Sequence, residues 1–172
     1  MHSSELTIGR TFAVTFEHGR DFYAELTTFC EENEVRQGYI PFFLAGFSEV
    51  ELVGTCGKVE DENAPVWSSV YLRNVEAAGG GTIARDHDTG ALSPHIHVAV
   101  GVKTSSAVAH TSHLLRATIL FLTEMIVVEV VRPDLTRVKN PDLYNVGLLS
   151  LFRNDAPGGR PYGSIGRERK QI

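Results

Sequence analysis

The hydrophobic pattern changes period several times along the chain, and each change predicts an element. Residues 11–16 alternate apolar and polar side chains and are rich in β-branched and aromatic types, which predicts a strand ending at His18 and Gly19. Asp21 then precedes Phe22, Leu26 and Phe29, a spacing of four and three that lines one face of a helix. That helix is expected to run to about Glu34 and to end at Gly38. Strand character returns over residues 39–53, gives way to a polar, acidic loop over 58–65, and resumes over 66–75. Ala77, Ala78, Gly79, Gly80 and Gly81 follow, small enough to let backbones approach closely. Asp86, His87, Asp88, Thr89 and Gly90 suit a hairpin turn, and Pro94 opens a strand over 95–100.

Residues 113–131 are ambiguous. Their length and Leu/Met content allow a helix, but Ile119, Thr123, Ile126, Val127, Val128, Val130 and Val131 favour extended backbone, and two strands are expected. Residues 146–152 read as a closing strand, and residues 154–163 are too poor in apolar side chains to pack. The organisation expected is one domain over 1–152 and a flexible tail over 153–172. One helix among many short strands points to an α+β fold, a largely antiparallel sheet flanked by few helices.

Composition narrows the class. The chain has 172 residues, 42% hydrophobic and 22% charged, which excludes a collagen, a coiled coil and low-complexity disorder. The formal net charge of -5 is the wrong sign for a protein that simply coats nucleic acid, yet the charge is divided unevenly. Residues 1–152 hold 11 basic and 19 acidic side chains, while 153–172 hold 5 and 2. Cys30 and Cys56 form no disulfide framework and point to a reducing compartment. With no apolar signal segment and no apolar run near the roughly 18 residues of a membrane span, a cytoplasmic location without membrane contact is expected.

The candidate chemistry lies in the histidines. His95 and His97 form His-x-His on a predicted strand, so both imidazoles leave one face while Ile96, Val98 and Val100 point to the core. A third imidazole from a neighbouring strand would complete a three-nitrogen site for a divalent ion such as zinc, with one position open to water or substrate. His113 is the better third ligand, and His110 is a candidate to hydrogen-bond a ligand or to serve as a neighbouring one. Such histidines also occur simply hydrogen-bonded on a polar face. Glu76 and Glu124 are the carboxylates placed to serve such a site, Glu76 as a general base and Glu124 as a hydrogen-bond anchor, and both also suit structural ion pairs. Arg116, three residues after His113, is expected on the opposite face of the strand in a surface ion pair. The glycine run is no phosphate loop, because no Gly-Lys-Ser/Thr follows it. Phe42, Phe43 and Phe47 are expected in the core rather than stacked on bases.

Several segments together resemble a known family. The run from Val75 through Glu76 and Gly79-Gly80-Gly81-Thr82-Ile83-Ala84, then Pro94-His95-Ile96-His97-Val98, then His113-Leu114-Leu115-Arg116-Ala117 with Glu124 downstream, is similar to the PPC domain, the domain conserved in plants and prokaryotes. In plants that domain sits behind AT-hook motifs in nuclear DNA-binding proteins; prokaryotic members usually stand alone. The resemblance spans about residues 11–152 and implies an antiparallel sheet, a homotrimer, and a cluster of His95, His97 and His113 near a subunit interface where some members hold a metal. This chain has Thr111-Ser112 where the family usually has two glycines before His-Leu. Gly159-Arg160-Pro161 resembles part of an AT-hook core but lacks the preceding arginine; Arg160, Arg167, Arg169 and Lys170 are the phosphate-contact candidates. Two functions stay open: a DNA-associated or regulatory binding module, and a small zinc-type enzyme or small-ligand-binding protein using the same histidines.

Overall fold

A computed structural model describes residues 2–54, 68–102, 104, 108–141 and 145–152. The strands are β1 (Thr7–Glu17), β2 (Gly38–Val53), β3 (Ser69–Ile83), β4 (Arg85–Asp86), β5 (His95–Val102), β6 (Ala109–Arg132), β7 (Asp134–Asn140) and β8 (Val146–Phe152), with α1 (Phe22–Glu32) between β1 and β2. The fold is α+β, with one helix among the described residues. The main sheet runs β1-β6-β2-β3-β5, all antiparallel, and β5 pairs again with β6. Strands β6, β2, β3 and β5 therefore form a closed circuit of ladders. A smaller sheet runs β4-β7-β8. No described helix is long and apolar enough to cross a membrane.

Helix α1 starts where the spacing predicts. Asp21 is extended, and its carboxylate accepts the Ala24 amide at 2.9 Å, satisfying one of the free donors of the first turn. The helix buries Phe22, Leu26 and Cys30 against the sheet. It stops at Glu32, close to the expected Glu34, but Gly38 is not what ends it: Asn33 caps the last carbonyls, Glu34 turns into the left-handed region at φ 54°, and Gly38 is already the first residue of β2. Phe22 lies at the centre of the core, with its ring 5.2 Å from that of Phe43 and 5.9 Å from those of Phe16 and Phe47. Phe43 and Phe47 are fully buried as expected, whereas Phe42 is 49% exposed on the other face of β2. Cys30 is buried and its thiol is pushed up to about 11 by that burial, so it packs as a small apolar side chain.

The ambiguous segment proves to be a single strand. β6 is 24 residues long and pairs with β5, β2 and β1 in turn, so the expected pair of strands is corrected to one. Bulges explain why its pattern misleads. Leu52 pairs with Leu114 but Glu51 with Arg116, so one extra residue shifts the alternation; Gly46 pairs with Leu120 but Ala45 with Thr123, so two extra residues interrupt it and leave Phe121 and Leu122 both exposed. Phe121, inside the second bulge, sits at φ 70°. The glycine run is also extended backbone: β3 continues through Gly79-Gly80-Gly81 to Ile83 instead of ending at residue 75. The expected acidic loop over 58–65, Cys56 and the tail over 153–172 lie outside the described residues.

Candidate metal centre

Strand β5 places its side chains as the alternation predicts. Ile96, Val98 and Val100 are buried in the core, and His95 and His97 leave the opposite face. His97 is the direct ladder partner of His113 on β6, which puts the two imidazoles side by side on that face. The ring centroids of His95, His97 and His113 lie 4.8 to 5.5 Å apart. One ligand nitrogen from each of the three lies within 4.8 Å of the others, and the Nε2 atoms of His95 and His97 are 3.1 Å apart. A tetrahedral zinc with bonds of about 2.0–2.1 Å would hold its nitrogens about 3.3 Å from one another, so the donor set fits a divalent ion with small ring adjustments.

The glycine run makes this geometry attainable. Gly79, Gly80 and Gly81 pair with Val98, His97 and Ile96. A Cβ on Gly79 would fall 2.5 Å from the His97 carbonyl oxygen and 2.6 Å from the Phe43 ring; on Gly81 it would overlap the His95 carbonyl. Only glycine lets β3 lie this close to the strand that carries two of the three histidines.

Electrostatics keeps the imidazoles ready to bind a cation. Burial pushes the His95 imidazole down to about 4, reinforced by the positive charge of Arg137 and by His113 and His97. His113 is lowered too, by burial first and then by His97 and Arg137. Both rings are therefore neutral near pH 7, with a lone pair free for a metal.

Arg137 is the residue that sequence reasoning missed. It lies on β7, in a segment the hydrophobic pattern left unassigned, and is only 6% exposed. Its Nη2 donates to the Thr82 hydroxyl and its Nε to the Ser93 carbonyl at 3.3 Å. Thr82 is the ladder partner of His95, so these bonds tie the guanidinium to the strand pair beneath the triad. A cavity of about 520 Å³ opens here, lined among the described residues by the three histidines, Arg137 and an apolar wall that includes Val53 and Leu115.

The other candidates are placed elsewhere. Glu76 shares the outer sheet face with His97, but its ladder partner is Gly101, four positions along β5 and about 13 Å away at 3.3 Å per residue. Glu124 pairs with Leu44 and Thr15, eleven positions down β6 from His113. Neither lines the cavity. His110 pairs with Val100, on the face opposite the triad. Arg116 corrects the expected orientation, because the bulge at Leu115 returns it to the outer face; it does form the expected surface ion pair, with Glu51 at 3.3 Å. Arg160, Arg167, Arg169 and Lys170 fall outside the described residues.

Comparison with known proteins agrees with this architecture. Several solved structures share the fold, three of them as follows. A plant- and prokaryote-conserved (PPC) protein from Pyrococcus horikoshii aligns with a TM-score of 0.73 at 16% identity, covering 89% of this chain and 99% of its own. A metal-containing protein from Archaeoglobus fulgidus aligns at 0.70 and 18% identity, covering 86% and 98%. A "putative DNA-binding protein" from Ralstonia eutropha JMP134 aligns at 0.65 and 21% identity, covering 81% and 90%. No curated protein sequence matches this chain. The Plants and Prokaryotes Conserved (PCC) domain matches residues 3–131, a stretch that contains α1, β1 to β5, nearly all of β6 and all three clustered histidines, and the chain belongs to that family.

Proposed function

We propose that this chain is a divalent-metal protein that binds a small molecule at His95, His97 and His113, with zinc as the resident ion. The observation that carries this reading is the convergence of three imidazoles within 4.8 Å on one sheet face at the mouth of a cavity. Three nitrogen donors leave a coordination position for water or a ligand, the arrangement of catalytic rather than structural zinc sites. When bound, the ion supplies a Lewis acid and a water of lowered pKa. The structurally similar Archaeoglobus protein, described as metal-containing, supports the reading. The test is elemental analysis of the purified full chain. About one zinc per chain is expected, and it should be lost in His97→Ala; wild-type protein that neither carries zinc nor takes it up would overturn the proposal.

The same reading takes the chain as a cytoplasmic homotrimer with the histidines near a subunit interface. Phe42 and Ile126 are ladder partners on the outer face of the sheet, and together with Leu44 and Leu122 they expose an apolar patch of the kind that marks an interface. Light scattering after gel filtration should give three times the chain mass, and a monomer would overturn this part.

A second reading is a DNA-associated or regulatory module, supported by the similarity to the Ralstonia protein. Because residues 1–152 are acidic, duplex binding would depend on residues 153–172, with Arg160, Arg167, Arg169 and Lys170 on phosphates. It predicts a salt-sensitive mobility shift that disappears when that segment is removed. No shift at low salt would exclude it.

A further inference from the structure

The metal reading leaves a charge problem at Arg137. The residue is more than nine-tenths buried, and among the described residues its guanidinium donates only to Thr82 and Ser93, both uncharged groups. Nη1 has no hydrogen bond, and no carboxylate lies within ion-pair distance, among the described residues. Burial lowers its proton affinity, and among the described residues no acidic neighbour opposes that. Buried arginines are normally paired, because an uncompensated buried charge is strongly unfavourable. Here the charge stands in the wall of the cavity that holds the histidine triad, and none of the described lining residues is acidic. A divalent ion and a guanidinium would together bring three positive charges to a described lining that holds no acidic residue.

We propose that Arg137 is the anion-binding half of this site and holds the carboxylate of a small organic acid whose neighbouring oxygen reaches the metal. The inference rests on the metal reading above. A carboxylate suits the planar fork of a guanidinium, which it meets with two parallel bonds. An organic acid, rather than an inorganic oxyanion, suits the rest of the wall, where Val53, Pro94, Leu115 and Val146 stand beside the uncharged Ser93, Ser112 and Asn145. A volume of about 520 Å³ is in the range for small-molecule sites. Arg137 also lies beyond residues 3–131, so the strand that supplies it is outside the family match that contains the histidines.

The test loads the full chain with cobalt(II) and follows its visible bands while 2-hydroxyisobutyrate is added, with 2-hydroxyisobutyramide and inorganic phosphate as parallel probes. Wild type should show a saturable spectral change with the acid and a weaker response to the amide and to phosphate. Arg137→Gln should keep its cobalt yet bind the acid at least about tenfold more weakly, with little change for the amide. Arg137→Lys keeps the charge without the fork, should fall between the two, and serves if the glutamine variant does not fold. Equal acid affinity in wild type and a folded Arg137 variant would overturn the proposal while leaving the metal site standing. Tighter binding of phosphate than of the acid would overturn the ligand class. A wild-type chain that takes up no cobalt would overturn the metal reading and this inference together.

Discussion

Replacing Gly81 by alanine tests whether the close approach of β3 to β5 shapes the histidine site. A Cβ at this position would overlap the His95 carbonyl oxygen and lie 2.8 Å from Ile96 Cδ1. The Ile96 methyl can turn away, but the carbonyl belongs to backbone held in the β3–β5 ladder, so relief requires the strands to separate. Overpacking of this kind costs typically about 1–3 kcal/mol. The same substitution restricts the unfolded chain and returns about 0.4–1 kcal/mol. The net expectation is a loss of about 1–2 kcal/mol, which for a chain of this length lowers Tm by about 2–8 °C. Gly101→Ala is the matched control on β5, where among the described residues a Cβ would meet nothing nearer than the Glu76 carbonyl at 3.8 Å; it should be neutral or slightly stabilising. Thermal unfolding of the metal-free proteins at one fixed concentration, followed by zinc titration, reads both effects. Because β5 carries His95 and His97, Gly81→Ala should also weaken zinc binding while Gly101→Ala does not. If the two variants melt alike and bind zinc alike, the glycine run does not set the geometry of the site.

Three further outcomes follow from the fold. Phe22 is fully buried among Phe16, Tyr23, Phe43 and Phe47, so Phe22→Ala should cost about 3–5 kcal/mol in urea unfolding, chiefly as a lower midpoint. Asp21→Ala removes the cap of α1 and should cost about 1 kcal/mol, with Asp21→Asn recovering most of it. The hydrogen bond from Arg10 holds the Glu129 carboxyl down at about 2, below its ordinary value of 4.5. A lowered folded-state value stabilises the protein above the unfolded value and loses that contribution as pH falls from about 4.5 towards 2. Stability should therefore drop less steeply with acid over that window in Glu129→Gln than in wild type, and parallel acid limbs would contradict the pairing.

Much of this architecture was legible from local pattern. The start of α1 follows from Asp21 ahead of a four-and-three apolar spacing, and the inward face of β5 follows from strict alternation through Ile96, Val98 and Val100. The pattern misleads where the backbone breaks its own period. β6 carries two bulges, so its apolar residues satisfy neither the helical nor the strand template over its full length, and one strand reads as two. The bulge at Leu115 likewise turns Arg116 to a face that simple alternation denies it. β7 escapes notice because Arg137, a charged residue in the sequence, occupies one of its buried positions.

The sequence by itself determined the donors. His-x-His on a strand sends two imidazoles to one side because side chains alternate, and a nearby His113 supplies the third chemistry. It also determined that only glycine stands where β3 must crowd β5. Tertiary structure decided which groups meet. The β5–β6 register sets His113 beside His97 and turns His110 away, and the β3–β5 register leaves Glu76 four positions from the cluster. It also carried Arg137 from a separate sheet into the wall of the cavity. Alternation along one strand is a local property, whereas register and sheet packing depend on where distant segments of the chain come to lie, and no single window of sequence contains that information.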